Sequence, residues 1–180
     1  MSGFDASLPP VRIGQGWDTH RIEAGRPLII GGVRIPCEFG LAGHSDADVL
    51  FHAVTDAILG GLALGDIGMH FPDTAPEWKG VESRRFLQHA LELAGRAGYR
   101  LANVDATVIL ERPKLKEFRG AIRESLARAV DLPLACVSVK FKTAEKTGPV
   151  GEGRSCEAQA VALLTLVEMP KSQNADLSGM

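Results

Sequence analysis

The clearest pattern of apolar positions runs through Val49, Ala53, Val54, Ala57 and Ile58, whose spacing follows one face of a helix. Gly60 and Gly61 mark where that helix ends. Ser45 is placed to open it as an N-cap, with Asp46 and Asp48 in the first turn, where the helix dipole favours acids. A second helix is predicted over 82–96, stopping at Gly98, and a third over 114–130. Strands are predicted over 11–17, 104–110, 137–143 and 158–167, the last apolar on both faces and so suited to the middle of a sheet or to a subunit interface. Leu28–Ile30 and Val33–Ile35 flank Gly31-Gly32, a two-residue hairpin signal. Helices and strands mix along the chain, and one strand pair is antiparallel. The simplest architecture is an α/β (α+β) sandwich, a mixed sheet covered on one face by helices. Residues 11–168 then form a single catalytic domain, with a flexible leader at 1–10 and a flexible tail at 169–180.

Composition narrows the function classes. The chain has 180 residues and a formal net charge of -2, enough length for a core and too little positive charge for a nucleic-acid-coating surface. No apolar run reaches the length of a membrane span, and Met1–Pro10 carries no basic residue ahead of an apolar stretch, so no signal peptide is expected. The three cysteines, Cys37, Cys136 and Cys156, are widely spaced and odd in number. They suit free thiols in a cytoplasm.

Candidate chemistry concentrates in two regions. Asp18-Thr19-His20 follows the first strand, and residues two apart in extended chain point the same way. With His52 from the first helix they would make a two-imidazole, one-carboxylate zinc set with an open fourth position, the arrangement of catalytic zinc. The same residues also suit a hydrogen-bonded turn pair and a satisfied core histidine. Asp48 and Asp56, one helical turn either side of His52, could each accept its second ring N–H, or serve as a cap-region acid and a solvated one. His44 and Ser45, at the helix entrance, could donate to a phosphate where free backbone N–H groups attract anions; Ser45 could equally do no more than cap. Further on, Lys142, Thr143, Glu145 and Lys146 follow a strand and could hold a diphosphate, with Glu145 as a carboxylate for magnesium; a solvated loop would look the same.

These motifs occur in one order. Arg12-Ile13-Gly14-Gln15-Gly16-Trp17-Asp18-Thr19-His20, then Gly43 to Asp48 with Leu50 to Ala57, then Leu64 to Gly68, Phe71 to Thr74, Asn103 to Asp105, Pro113-Lys114 and Thr143-x-Glu145 resemble the signatures of the 2-C-methyl-D-erythritol 2,4-cyclodiphosphate synthase family. The resemblance covers about 11–167. It implies an intramolecular phosphoryl transfer: the 2-phosphate of 4-diphosphocytidyl-2-C-methyl-D-erythritol 2-phosphate attacks the β-phosphorus, CMP leaves, and a cyclic diphosphate forms.

The resemblance further implies zinc on Asp18, His20 and His52, and a second divalent ion, magnesium or manganese, on Glu145. It gives His44 and Thr143 as the groups that stabilise the transition state. It places Ser45, Asp66, Ile67, Gly68, Phe71, Pro72 and Asp73 around the methylerythritol end. Leu110, Pro113, Lys114, Leu115, Phe141, Lys142 and Thr143 then surround the cytidine-diphosphate end. It implies a homotrimer with active sites shared between neighbours; the thiols, charge and hydropathy add a cytoplasmic location with neither nucleic acid nor membrane as partner. One segment departs from the family: 148–153 is shorter than usual and lacks an aromatic and an arginine common there. Glu152 would repel an anion at the three-fold axis unless Arg154 neutralises it, so an isoprenoid diphosphate is not expected there.

Overall fold

Strand β1, Val11–Ala24, sets the position of nearly everything else in the computed structural model, which describes residues 9–72 and 74–167. It is followed by the hairpin of β2 (Leu28–Ile30) and β3 (Val33–Ile35), then β4 (Phe39–Leu41) and helix α1 (Val49–Gly61). A one-turn helix α2 (Ile67–His70) leads to α3 (Arg84–Arg96) and β5 (Tyr99–Ile109). Then come α4 (Arg119–Ala129), β6 (Val137–Lys142), the one-turn α5 (Gly148–Gly151) and β7 (Ser155–Leu166). Five strands form one sheet in the order β4-β1-β7-β5-β6. β5 and β6 are parallel, joined across α4, and the other neighbours are antiparallel. The expected mixed sheet with helices on one face is the observed one.

α1 lies along that face. Leu50, Phe51, Ile58 and Leu59 are fully buried there, each contributing about 1.5–3 kcal/mol relative to exposure. The opposite face of the sheet carries Val11, Ile13, Trp17 and Val161, all exposed. Among the described residues nothing covers it, and no helix is long and apolar enough to cross a membrane. β7 is the middle strand, as its apolar run predicts.

Several boundaries differ from the sequence reading. β1 does not stop at Trp17 but runs on through Asp18 and His20, because its alternation continues with polar residues in place of apolar ones. β5 begins at Tyr99, earlier than 104, and the third helix is a 3-10 turn, Leu115–Phe118, ahead of α4. The cap of α1 is Asp48, not Ser45: its carboxylate accepts from Leu50 N and Phe51 N, and also from Gly31 N at 2.8 Å and Gly32 N at 2.6 Å. Four amide donors on one buried acid fix both the helix start and the hairpin turn. Of the expected leader, 1–8 lies outside the described residues, whereas the Pro9 carbonyl accepts from Tyr99 Oη at 2.7 Å and that of Pro10 from Leu166 N at 2.9 Å. The tail expected at 169–180 also lies outside them.

Candidate active site

Gly14, Gly16, Asp18 and His20 share the side of β1 that faces α1. A Cβ on Gly16 would stand 2.0 Å from the Ala53 carbonyl oxygen, and one on Gly14 1.8 Å from that of Ala57. Only glycine lets the helix backbone approach so closely. The two strand glycines therefore seat α1, and Asp18, the next residue on that side, emerges beside His52. Asp18 Oδ2 lies 2.9 Å from His20 Nε2 and 3.0 Å from His52 Nδ1, and the two ring nitrogens are 3.0 Å apart.

Three acceptor atoms gathered this closely repel one another unless a proton or cation lies among them. Burial raises the Asp18 carboxyl, but hydrogen bonds and charge from His20 and His52 outweigh it and hold the group well below the usual carboxylate range. Burial lowers His20, but its hydrogen bond and charge contact with Asp18 outweigh that and raise it. The remaining ring nitrogens are engaged from behind. His20 Nδ1 meets the Ala42 carbonyl at 2.7 Å, and His52 Nε2 meets Ser83 Oγ at 2.7 Å and Ser45 Oγ at 3.1 Å. Partners of this kind fix a ligating imidazole's tautomer, so the set fits a divalent metal.

Neither Asp48 nor Asp56 accepts the second N–H of His52; of the two readings the sequence leaves open for Asp48, the cap-region acid is the one observed. Asp48 is consumed by backbone amides, and Asp56 takes Ile67 N at 2.7 Å. Ser83 holds the place instead. It stands at the start of α3, far from His52 in sequence, and no local pattern marks it. The helix entrance is also not an open anion cradle. Asp46 N donates to the Val81 carbonyl, Ala47 N to Ser45 Oγ and Asp48 N to Asp46 Oδ1. The amides of Asp46, Ala47 and Asp48 are therefore not free for a phosphate.

The metal candidates open into a cavity of about 520 Å³ whose walls include Gly43, His44, Ser45, Ile67, Gly68, Phe71 and Pro72. Trp78 and Phe86 also line it, and no motif in the sequence singles them out. Trp78 meets Phe71 edge-on with centroids 5.0 Å apart and Phe86 lies tilted against it at 4.4 Å, giving the cavity an apolar wall. Asp66 is not part of that wall; it caps α2 by accepting from Met69 N at 3.0 Å. Asp73 lies outside the described residues.

A second cleft, of about 310 Å³, is lined by Leu110, Lys114, Leu115, Phe141, Lys142 and Thr143, together with Lys116 and Arg119. Four of its lining residues are basic, which suits a polyanionic ligand. Pro113 is not in this lining; it borders a smaller pocket with Arg112, Cys37, Glu38 and Phe39. Thr143 Oγ1 donates to Glu145 on the loop that follows β6. Beyond it Arg154 pairs with Glu152 at 2.6 Å, so that cation is already matched.

The YgbB family model matches residues 11–165. A 2-C-methyl-D-erythritol 2,4-cyclodiphosphate synthase of Solibacter usitatus is 67% identical over 157 residues, covering 87% of this chain and 99% of its own. A protein of the same name from Paraburkholderia phymatum is 55% identical with the same coverage. Among solved structures, a CDP-bound form of such a synthase matches with a TM-score of 0.79 and 43% identity over 85% of this chain and 99% of its own. The bifunctional IspDF from Campylobacter jejuni matches at 0.84 and 37% identity over 88% of this chain, which spans 43% of that longer protein. From the first residue of β1 almost to the end of β7, the chain belongs to the YgbB family.

Proposed function

We infer that this protein converts 4-diphosphocytidyl-2-C-methyl-D-erythritol 2-phosphate into 2-C-methyl-D-erythritol 2,4-cyclodiphosphate and CMP, a step in isoprenoid precursor synthesis. The observation that carries the reading is the convergence of Asp18, His20 and His52 on one point at the mouth of a cavity flanked by His44 and Ser45. Relatives bearing that synthase name match over 99% of their length.

The chemistry asks little of the protein beyond placement and charge. An oxygen of the 2-phosphate forms a bond to the β-phosphorus, the bond from that phosphorus to the bridging oxygen breaks, and CMP carries away the electron pair. The nucleophile is already an anion, so no general base is required. Zinc on Asp18, His20 and His52, and magnesium or manganese on Glu145, would supply positive charge to the phosphate oxygens. His44 and Ser45 offer hydrogen-bond donors from side chains at the cavity rim. Ile67, Phe71 and Pro72 offer an apolar surface for the methylerythritol carbons, with Gly68 leaving the backbone accessible. In the second cleft Lys114, Lys142 and Thr143 would hold the cytidine diphosphate, and Leu110, Leu115 and Phe141 would pack against its base. Thr143, hydrogen-bonded to Glu145, and His44 would act on the phosphates from opposite ends.

The two clefts are separate on one copy of the chain, and an apolar sheet face lies bare. Both features support a homotrimer in which the metal cleft of one subunit meets the nucleotide cleft of the next. The free thiols support a cytoplasmic location.

The products test the reading. Phosphorus NMR of the purified protein with substrate and divalent ions should show cyclic diphosphate and CMP in equal amounts. Release of inorganic phosphate instead would make the site a hydrolase.

A further inference from the structure

We propose that Asp46 and Ser83 are positioning residues for the metal site, holding His52 with its hydrogen on Nε2 and its Nδ1 lone pair turned toward Asp18 and His20. The proposal rests on the reading of Asp18, His20 and His52 as metal ligands.

The direction of the hydrogen bonds follows from counting protons. Ser83 Oγ has a single hydrogen and three polar partners, Asp46 Oδ1, His52 Nε2 and, farther off at 3.3 Å, Ser45 Oγ. An ionised carboxylate only accepts, so the Ser83 hydrogen goes to Asp46. Ser83 then has only lone pairs to offer His52, and Nε2 must donate to them. Ser45 does not reverse this. Its Oγ lies farther from Nε2, at 3.1 Å, than Ser83 Oγ does, and its own hydrogen has a lone pair of Ser83 Oγ, 3.3 Å away, to go to. Asp46 thus polarises a chain that runs from His52 through Ser83 to the acid, and the opposite ring nitrogen is left as a bare acceptor facing the other two ligands.

The chain is held rigidly. Ser83 is fully buried and His52 nearly so. Asp46 Oδ1 also takes Ser83 N at 3.1 Å, and Asp46 N donates to the Val81 carbonyl at 3.0 Å. A simpler role for Ser83, capping α3, is not what its side chain does. Ser83 is at the cap position, but its hydroxyl makes no capping hydrogen bond. Among the described residues His20 has no such relay, since its rear nitrogen meets the backbone carbonyl of Ala42.

The test measures zinc affinity by competition with a chromophoric chelator, comparing the intact protein with Ser83→Ala, Ser83→Thr, Asp46→Asn and His52→Ala. Loss of a partner behind a ligating histidine weakens metal binding about 10–100-fold, which is the loss expected for Ser83→Ala. Asp46→Asn should lose less, because the amide oxygen still accepts, and Ser83→Thr, which keeps the hydroxyl, should recover most of the affinity. In the zinc-loaded protein the His52 Nε2 hydrogen should give a slowly exchanging proton resonance that Ser83→Ala loses. Should Ser83→Ala not fold, Asp46→Asn carries the same measurement. Ser83→Ala with unchanged zinc affinity, whatever its melting temperature, overturns the relay while a zinc loss in His52→Ala leaves the metal reading standing. Unchanged zinc affinity in His52→Ala overturns the metal reading, and the relay with it.

Discussion

His52 and Glu145, the residues proposed to hold the two metal ions, are held very differently. His52 is held at both ring nitrogens, by half-buried Asp18 on one and buried Ser83 on the other. Glu145 is exposed on a loop, with a left-handed backbone (φ 51) and a hydrogen bond from Thr143. A non-glycine residue in that conformation is uncommon and is kept only where its neighbours enforce it. The held carboxylate is suited to a magnesium ion that keeps most of its water and takes one or two protein oxygens. Glu145→Gln preserves the shape and removes the charge. Loss of even a partner behind a metal ligand weakens metal binding about 10–100-fold, so loss of the ligand's charge should raise the magnesium concentration for half-maximal cyclisation by at least about as much. Zinc content should not change. An unaltered magnesium requirement would remove Glu145 from the role.

At the scale of elements, the contact between β1 and α1 does most to make the site. Gly14 and Gly16 let the helix backbone rest on the strand, and that height places His52 against Asp18. Gly16→Ala forces a methyl group into the Ala53 carbonyl. Overpacking of this kind costs about 1–3 kcal/mol, and the backbone clash puts this case at the upper end, with zinc affinity falling as α1 lifts. Gly95→Ala, in α3, is the control: its added Cβ meets nothing within 4 Å, and the variant should gain about 0.5–1 kcal/mol. Denaturant unfolding of both checks the pair, and equal stabilities would contradict the account. Much of this level was legible beforehand. The apolar spacing of 49–58 placed α1, and Gly31-Gly32 placed the hairpin. The cap was misread because Ser45 and Asp48 are both good cap residues. Only the folded hairpin, which brings Gly31 N and Gly32 N to the Asp48 carboxylate, decides between them. Ser83 was invisible for the same reason: its meaning lies in a contact with a residue 31 positions away.

On the scale of the whole molecule, the proposed trimer would make the metal cleft and the basic cleft two halves of one reaction site, with the bare sheet face carrying Ile13, Trp17 and Val161 joining the subunits. Burying such a patch in a closed ring removes exposed apolar surface and repeats the junction at each interface. The order of motifs along the chain could name both halves, but not show that they open separately. That depends on β5 and β6 carrying the basic cleft while β1 and α1 carry the metal ligands. Subunit complementation reads this arrangement directly. His52→Ala disables one half and Thr143→Val the other, and each variant alone should be nearly inactive. Co-assembled in equal amounts, they should regain about a quarter of the intact activity, because random cyclic assembly pairs two undamaged halves at about one junction in four. Mixed assemblies, confirmed by mass, that stay as inactive as the separate variants would show that each subunit works alone.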